Sequence, residues 1–191
     1  MSTSITLVGL TGSLREQSVN KGVLRAVQEL LPQDVWIEIL PLGELPYYNM
    51  DLEADEPEAV RRFKEKLRQA DAIFIATPEF NGSAPGVLKN ALDWASRPYG
   101  ASVMTGKPTA ITGAGAFGGT ISAQAHLRLI LNRFGVPVVD APEVYIAKSW
   151  EKFDANGDLT DGSTREQLRE LVAALLSRVQ QPIAAQGGSN A

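Results

Sequence analysis

Short apolar runs alternate along this chain with longer segments in which apolar residues return every three or four positions. The runs are Ile5–Leu10, Val35–Leu40, Ala72–Thr77, Pro108–Thr112 and Val136–Val139; the longer segments are Val19–Leu31, Pro57–Gln69, Gly86–Ser96, Gly119–Phe134 and Thr164–Val179. The first and third runs are apolar almost throughout, as strands covered on both faces should be. Strand alternating with helix in this way predicts an α/β fold with a parallel sheet and helices on both faces. Right-handed crossovers leave few topologies, and for five strands the order 2-1-3-4-5 is expected.

Punctuation agrees with the periodicity. Pro57 suits the first turn of its helix, and Asp55 and Glu56 favour its positive end. Ser163-Thr164-Arg165-Glu166 reads as a capping box for the last helix. The chain reads as one doubly wound domain, 1–180, with a small, polar tail over 181–191 that is expected to fray. A hydrophobic fraction of 44% with 21% charged residues argues against disorder, and a net charge of −4 argues against nucleic acid or an anionic membrane as the main partner. Without cysteine there is no thiolate chemistry and no disulfide, which fits a reducing cytosol. Met1-Ser2-Thr3-Ser4 brings no basic region before its apolar run, and no stretch reaches the length of a membrane span, so a soluble cytoplasmic protein is expected.

In a sheet of this order, ligands bind beyond the carboxyl ends of the strands, at the switch point between strands 1 and 3. The loop after strand 1 holds Ser13, Arg15, Ser18 and Asn20. Two readings fit it. One is an ordinary helix cap, with Ser18 opening the helix and Arg15 in solvent. The other is an anion site, in which helix N–H groups, hydroxyls, an amide and a guanidinium suit a terminal phosphate. The loop after strand 3, Thr77-Pro78-Glu79-Phe80-Asn81-Gly82-Ser83-Ala84-Pro85-Gly86, is stiff and offers main-chain groups to a planar ligand; turn chemistry alone also explains its Pro and Gly. The loop after strand 4, Gly113-Ala114-Gly115-Ala116-Phe117-Gly118-Gly119, is stripped of bulk, so that its backbone can approach a ring or a phosphate. That loop also spells G-x-G-x-x-G, and Asp140 ends the next run, which together make a rival dinucleotide fingerprint. Against this rival, such a fingerprint belongs in the first βα turn, where this chain has its hydroxyl cluster.

Taken together, the motifs carry a family resemblance. Gly12-Ser13-Leu14-Arg15 with Ser18 and Asn20 resembles the phosphate loop of the NAD(P)H-dependent FMN reductases of the flavodoxin-like fold. Leu45-Pro46-Tyr47-Tyr48-Asn49-Met50-Asp51 is similar to that family's segment after strand 2, and Thr77–Ser83 through Pro85–Trp94 to its longest motif. Gly118-Gly119, Gln124 and Leu127-Arg128 resemble its fourth-helix region. Two departures stand out. Phe80 occupies a position where the family often has tyrosine, and the third loop carries alanine and glycine where relatives often have serine.

The resemblance implies a flavodoxin-like sheet and non-covalent FMN. Ser13, Arg15, Ser18 and Asn20 would hold the phosphate. Pro78, Glu79, Phe80, Asn81, Gly82 and Ser83 would meet the isoalloxazine largely through main chain, with Gly113 and Gly115 lining its other side. It further implies hydride accepted from NADPH or NADH, electrons passed to quinones, azo compounds, metal oxyanions such as chromate or free flavin, and a homodimer or homotetramer built on the third and fourth helices. No acid–base residue is assigned. A flavodoxin-type electron carrier without its own substrate is the alternative, and a redox-dependent regulator a third possibility.

Other candidates have plainer explanations. Phe153–Gly162 resembles the opening of a calcium loop but has Leu159 at the sixth position, where a glycine is needed, and Arg165 at the twelfth, where a glutamate belongs, so an Asn-Gly turn into the last helix is expected. His126, the single histidine, is expected on a surface or interface, and Asp93 with Arg97 as a helix-surface pair. Tyr47 and Tyr48 either cover a ligand or pack their loop onto the sheet. The three tryptophans are expected to pack, with Trp150 nearest the site mouth.

Overall fold

The computed structural model describes residues 4–180, so the tail lies outside the described residues. In chain order the elements are β1 (Ile5–Thr11), α1 (Val19–Leu30), β2 (Val35–Ile39), α2 (Glu58–Gln69), β3 (Ala72–Ala76), α3 (Gly86–Ala95), β4 (Thr109–Ala114), α4 (Ile121–Arg133), β5 (Val144–Ile146) and α5 (Gly162–Gln180). The strands form one parallel sheet of order β2-β1-β3-β4-β5, as the alternation predicts.

Period-two alternation divides the core. Leu7, Ala72, Phe74, Ala110 and Val144 point to the face where α1 and α5 bury Val23, Val27, Leu168, Leu171 and Leu175. Val8, Leu10, Ile73, Ile75 and Ile111 point to the other face, against Phe63 and Leu67 of α2, Leu88 and Leu92 of α3, and Leu127 and Leu131 of α4. All five residues of β3 are buried, which a central strand covered on both sides requires.

Four expectations are corrected. The fifth strand is Val144–Ile146 rather than Val136–Val139. Pro137 has no N–H to give, and the earlier segment contributes one bridge, Val138 with Thr109, before the chain turns through Pro142 and rejoins the end of β4. Asp161, not Ser163, caps α5, because its carboxylate accepts the Thr164 N–H at 2.8 Å and also the Thr164 hydroxyl. Asp93 pairs with Lys89 at 2.7 Å, whereas Arg97 reaches Glu53 at 3.9 Å and lies over the Tyr48 ring. Trp94 is fully buried, but Trp36 on edge strand β2 is 65% exposed and packs little.

Candidate functional site

The carboxyl ends of the central strands are level. Thr11 pairs with Ala76, Ala76 with Thr112, and Ala114 with Ile146, so the turns that follow β1, β3 and β4 meet at one edge. Gly12 makes the first of these contacts possible, since a Cβ there would stand 2.4 Å from Pro85 Cγ at the start of α3.

The helix-cap reading of the first turn holds. Ser18 is the N-cap of α1, its Oγ accepting the N–H groups of Asn20 at 3.2 Å and Lys21 at 3.4 Å. Its own hydroxyl proton stays available to an acceptor. Ser13 is buried, and its N–H donates to Thr11 Oγ1 at 3.4 Å. Arg15 is exposed, and its guanidinium has no ion pair or hydrogen bond among the described residues. Asn20 is only 2% exposed and serves another purpose: Nδ2 donates to Ala114 O and Oδ1 accepts the Ala114 N–H, both at 2.9 Å. Its carboxamide clasps the start of α1 to the end of β4.

The turn also rests on a buttress. Phe153 bridges Leu159 in a small hairpin whose Asp154 carboxylate accepts the N–H groups of Asn156 and Asp158, each at 2.9 Å. This is the expected Asn-Gly turn. Gly157, at φ +79°, presents its carbonyl to α1 so closely that a Cβ on Gly22 would stand 1.8 Å from that oxygen. Arg25 fixes the contact by donating to Gly157 O at 3.2 Å and Asp158 at 2.6 Å.

The loop after β3 is a two-residue β-hairpin. Phe80 and Ser83 exchange hydrogen bonds of 3.0 and 3.1 Å around Asn81 and Gly82, both left-handed, the pattern that Asn-Gly favours. The amides of Glu79, Asn81 and Gly82 have no acceptor among the described residues. Pro78 is buried and Phe80 is 57% exposed. Two contacts dock the hairpin onto α4. Glu79 accepts the Ala123 N–H at 3.0 Å, capping a helix whose own Thr120 makes no cap bond, and Ser83 Oγ lies 3.0 Å from His126 Nδ1. His126 is exposed on α4, as expected.

The third loop packs closely on its own chain. Gly113 belongs to β4, and a Cβ there would meet Thr77 O at 2.0 Å; one on Gly115 would meet Gly119 O at 2.4 Å. Both glycines thus permit close approach of the chain to itself. Asp140 pairs with Arg178 at 3.1 Å. Phe117 and Trp150 pack edge to face at 5.4 Å at the rim of this loop. The 45–53 segment is held down by α3. Trp94 Nε1 and Asn90 Nδ2 donate to Pro46 O, and Asn90 Oδ1 accepts the Tyr48 N–H. Tyr48 donates to Glu53, a bond that with burial holds its phenol above the ordinary range, while Tyr47 is left 88% exposed. The Glu79 cap, the Ser83–His126 contact and the hairpin buttress escape a reading of the sequence, because each joins segments far apart along the chain.

A doubly wound sheet with a capped, cationic turn after its first strand and free amides after its third defines a flavodoxin-like nucleotide-binding protein. Residues 5–151 match the family described as NADPH-dependent FMN reductase, and the chain belongs to that family. It is 44% identical over 168 residues to a 2-hydroxy-1,4-benzoquinone reductase of Burkholderia sp, covering 87% of this chain and 91% of the relative. To an NAD(P)H-dependent FMN reductase of Pseudomonas aeruginosa it is 45% identical over 178 residues, covering 92% and 95%. Among solved structures it is similar to the flavoenzyme NAD(P)H:(acceptor) oxidoreductase FerB of Paracoccus denitrificans, with a TM-score of 0.84 and 38% identity over 93% of this chain and 98% of that one.

Proposed function

We propose that this chain is an FMN-dependent NAD(P)H oxidoreductase whose acceptors are quinones first, within a wider class of azo compounds, metal oxyanions and free flavin. The observation that carries the reading is Arg15, a guanidinium with no partner among the described residues, in the same turn as the buried hydroxyls of Ser13 and Ser18. That donor set fits a phosphate monoester, and the free amides of Glu79, Asn81 and Gly82 fit the carbonyl and ring-nitrogen edge of an isoalloxazine. Bound FMN would accept hydride from NADPH or NADH and return the electrons to the acceptor.

The residues of the chain supply position. Arg15, Ser13 and Ser18 would bind the phosphate, while Asn20 would hold the turn rather than the ligand. Phe80, at the exposed rim of the hairpin, would shield one edge of the ring from water. Gly113 and Gly115 would line the ring's far side with backbone only. The names of the relatives favour quinones as acceptor and favour an enzyme over a flavodoxin-type carrier. A homodimer or homotetramer is supported by Ile121 and Leu129, which stand 52% and 70% exposed on α4. The lack of cysteine supports a cytoplasmic setting.

Purified protein should be yellow, should lose its flavin absorbance when NADPH is added without oxygen, and should regain it on adding benzoquinone. A protein that neither carries nor takes up FMN would defeat the reading. One that is not reduced by either pyridine nucleotide would instead favour the carrier.

A further inference from the structure

A cleft of about 490 Å³ opens beyond the ends of β1 and β2. Because β2 flanks β1 on the side away from β3, the cleft adjoins the anion turn on the opposite side from the hairpin and the third loop. Its volume falls within the range of small-molecule sites. The walls are largely apolar, with Ile39, Leu40, Pro41 and Leu42 along one side. Leu14, 61% exposed, leans on Gly43, where a Cβ would lie 3.1 Å from its Cδ2. Two cations enter from α1. Arg25 is held by Asp158 and Gly157, whereas the Lys21 ammonium has no partner among the described residues. Glu44 at the far rim lies 3.5 Å from Arg62.

A flat apolar wall with one unpaired ammonium suits a ring that carries an anion. Thr11 and Ser13 belong to this cleft as well as to the β1–α1 turn, so a ligand in the cleft would lie beside the place proposed for the FMN phosphate. The loops after β3 and β4 lie two to three strand spacings away, about 10–15 Å, a span that a dinucleotide covers. We infer that this cleft receives the adenosine 2′-phosphate half of NADPH, with the purine against Leu40–Leu42 and the 2′-phosphate at Lys21. This assignment rests on the oxidoreductase reading, since only a donor whose other end must reach the flavin loops has reason to span both places.

The test uses flavin-loaded protein. In calorimetric titrations, adenosine 2′,5′-bisphosphate should bind more tightly than 5′-AMP, and Lys21→Gln should weaken the bisphosphate about five- to tenfold. In steady-state assays the same variant should lower the ratio of kcat/KM for NADPH over NADH by a similar factor, and Lys21→Glu should lower it further. Flavin absorbance verifies that each variant is loaded and folded. An unchanged NADPH-to-NADH ratio in both variants, or bisphosphate binding that ignores Lys21, would overturn the assignment. Failure of the wild type to hold FMN or to oxidise either nucleotide would instead defeat the oxidoreductase reading, and the titrations would still report on the cleft.

Discussion

Gly22 sits within α1, where replacing glycine by alanine ordinarily adds about 1 kcal/mol of stability. The structure reverses that sign. An alanine Cβ would stand 1.8 Å from Gly157 O, whereas real Cβ contacts begin near 3.0 Å, so one backbone must retreat by about 1.2 Å. Neither partner yields easily. Gly157 is a left-handed turn residue tied to Asp154, and α1 is packed on the sheet through Val23, Leu24 and Val27. Overpacking of this kind typically costs ~1–3 kcal/mol and occasionally more. A contact this short with a backbone oxygen belongs at the upper end of that range, so with the propensity gain offset the net loss for Gly22→Ala should be about 2 kcal/mol. For a domain of this size that lowers Tm by about 4–8 °C. Differential scanning calorimetry with saturating FMN and without it should show both the lower Tm and a smaller FMN-induced rise, because Gln17 and Ser18 of the anion turn lie against the same glycine. Gly86→Ala is the control. No atom lies within 4 Å of its added Cβ, so its Tm should equal or slightly exceed that of the wild type. A Gly22→Ala protein as stable as the wild type would refute the steric account.

Three further outcomes follow from the same geometry. Arg15→Ala should weaken FMN about ten- to a hundredfold in a fluorescence titration while leaving Tm near the wild-type value, because the exposed side chain makes no hydrogen bond or ion pair among the described residues; full flavin occupancy would return Arg15 to a solvated cap neighbour. Asn20→Ala removes two buried bonds to Ala114 and leaves that residue's N–H and C=O unsatisfied, so urea denaturation should show a loss of about 2–4 kcal/mol. Asp161 is held below its ordinary pKa of 3.8, first by the Thr164 hydroxyl, then by the Thr164 N–H and Lys152. A depressed carboxylate contributes stability that is present above its unfolded pKa and lost as pH falls through the folded one. Denaturation midpoints of wild type and Asp161→Asn should therefore differ at neutral pH and converge under acid, and a gap that persists at low pH would contradict the assignment.

The helices and four of the five strands were legible because each has a periodicity or a long apolar run of its own. β5 was not. Val144–Ile146 is too short to show a period, while Val136–Val139 looks like a strand until Pro137 is seen to interrupt its ladder. Within the site, the hydroxyls and guanidinium of the first turn could be read from their clustering. Their division of labour could not, since Ser18 and Arg15 share a turn with Asn20 but Asn20 answers to a strand end far along the chain. The glycines of the third loop are only half legible for a related reason. A sequence shows that bulk is missing, but not whether the space is filled by a ligand or by Thr77 and Gly119.

The two bonds from Asn20 to Ala114 also set a length. One carboxamide holds the turn proposed for the phosphate against the strand end from which the ring-side loop departs, and both bonds must break before these can separate. The proposed pocket would therefore behave as a gauge with a fixed opening rather than as a pair of independent jaws. Such a gauge rewards a ligand that touches both ends together. In the proposed site, riboflavin, lacking the phosphate, would engage one end only, and a longer flavin nucleotide would have to direct its extra mass outward.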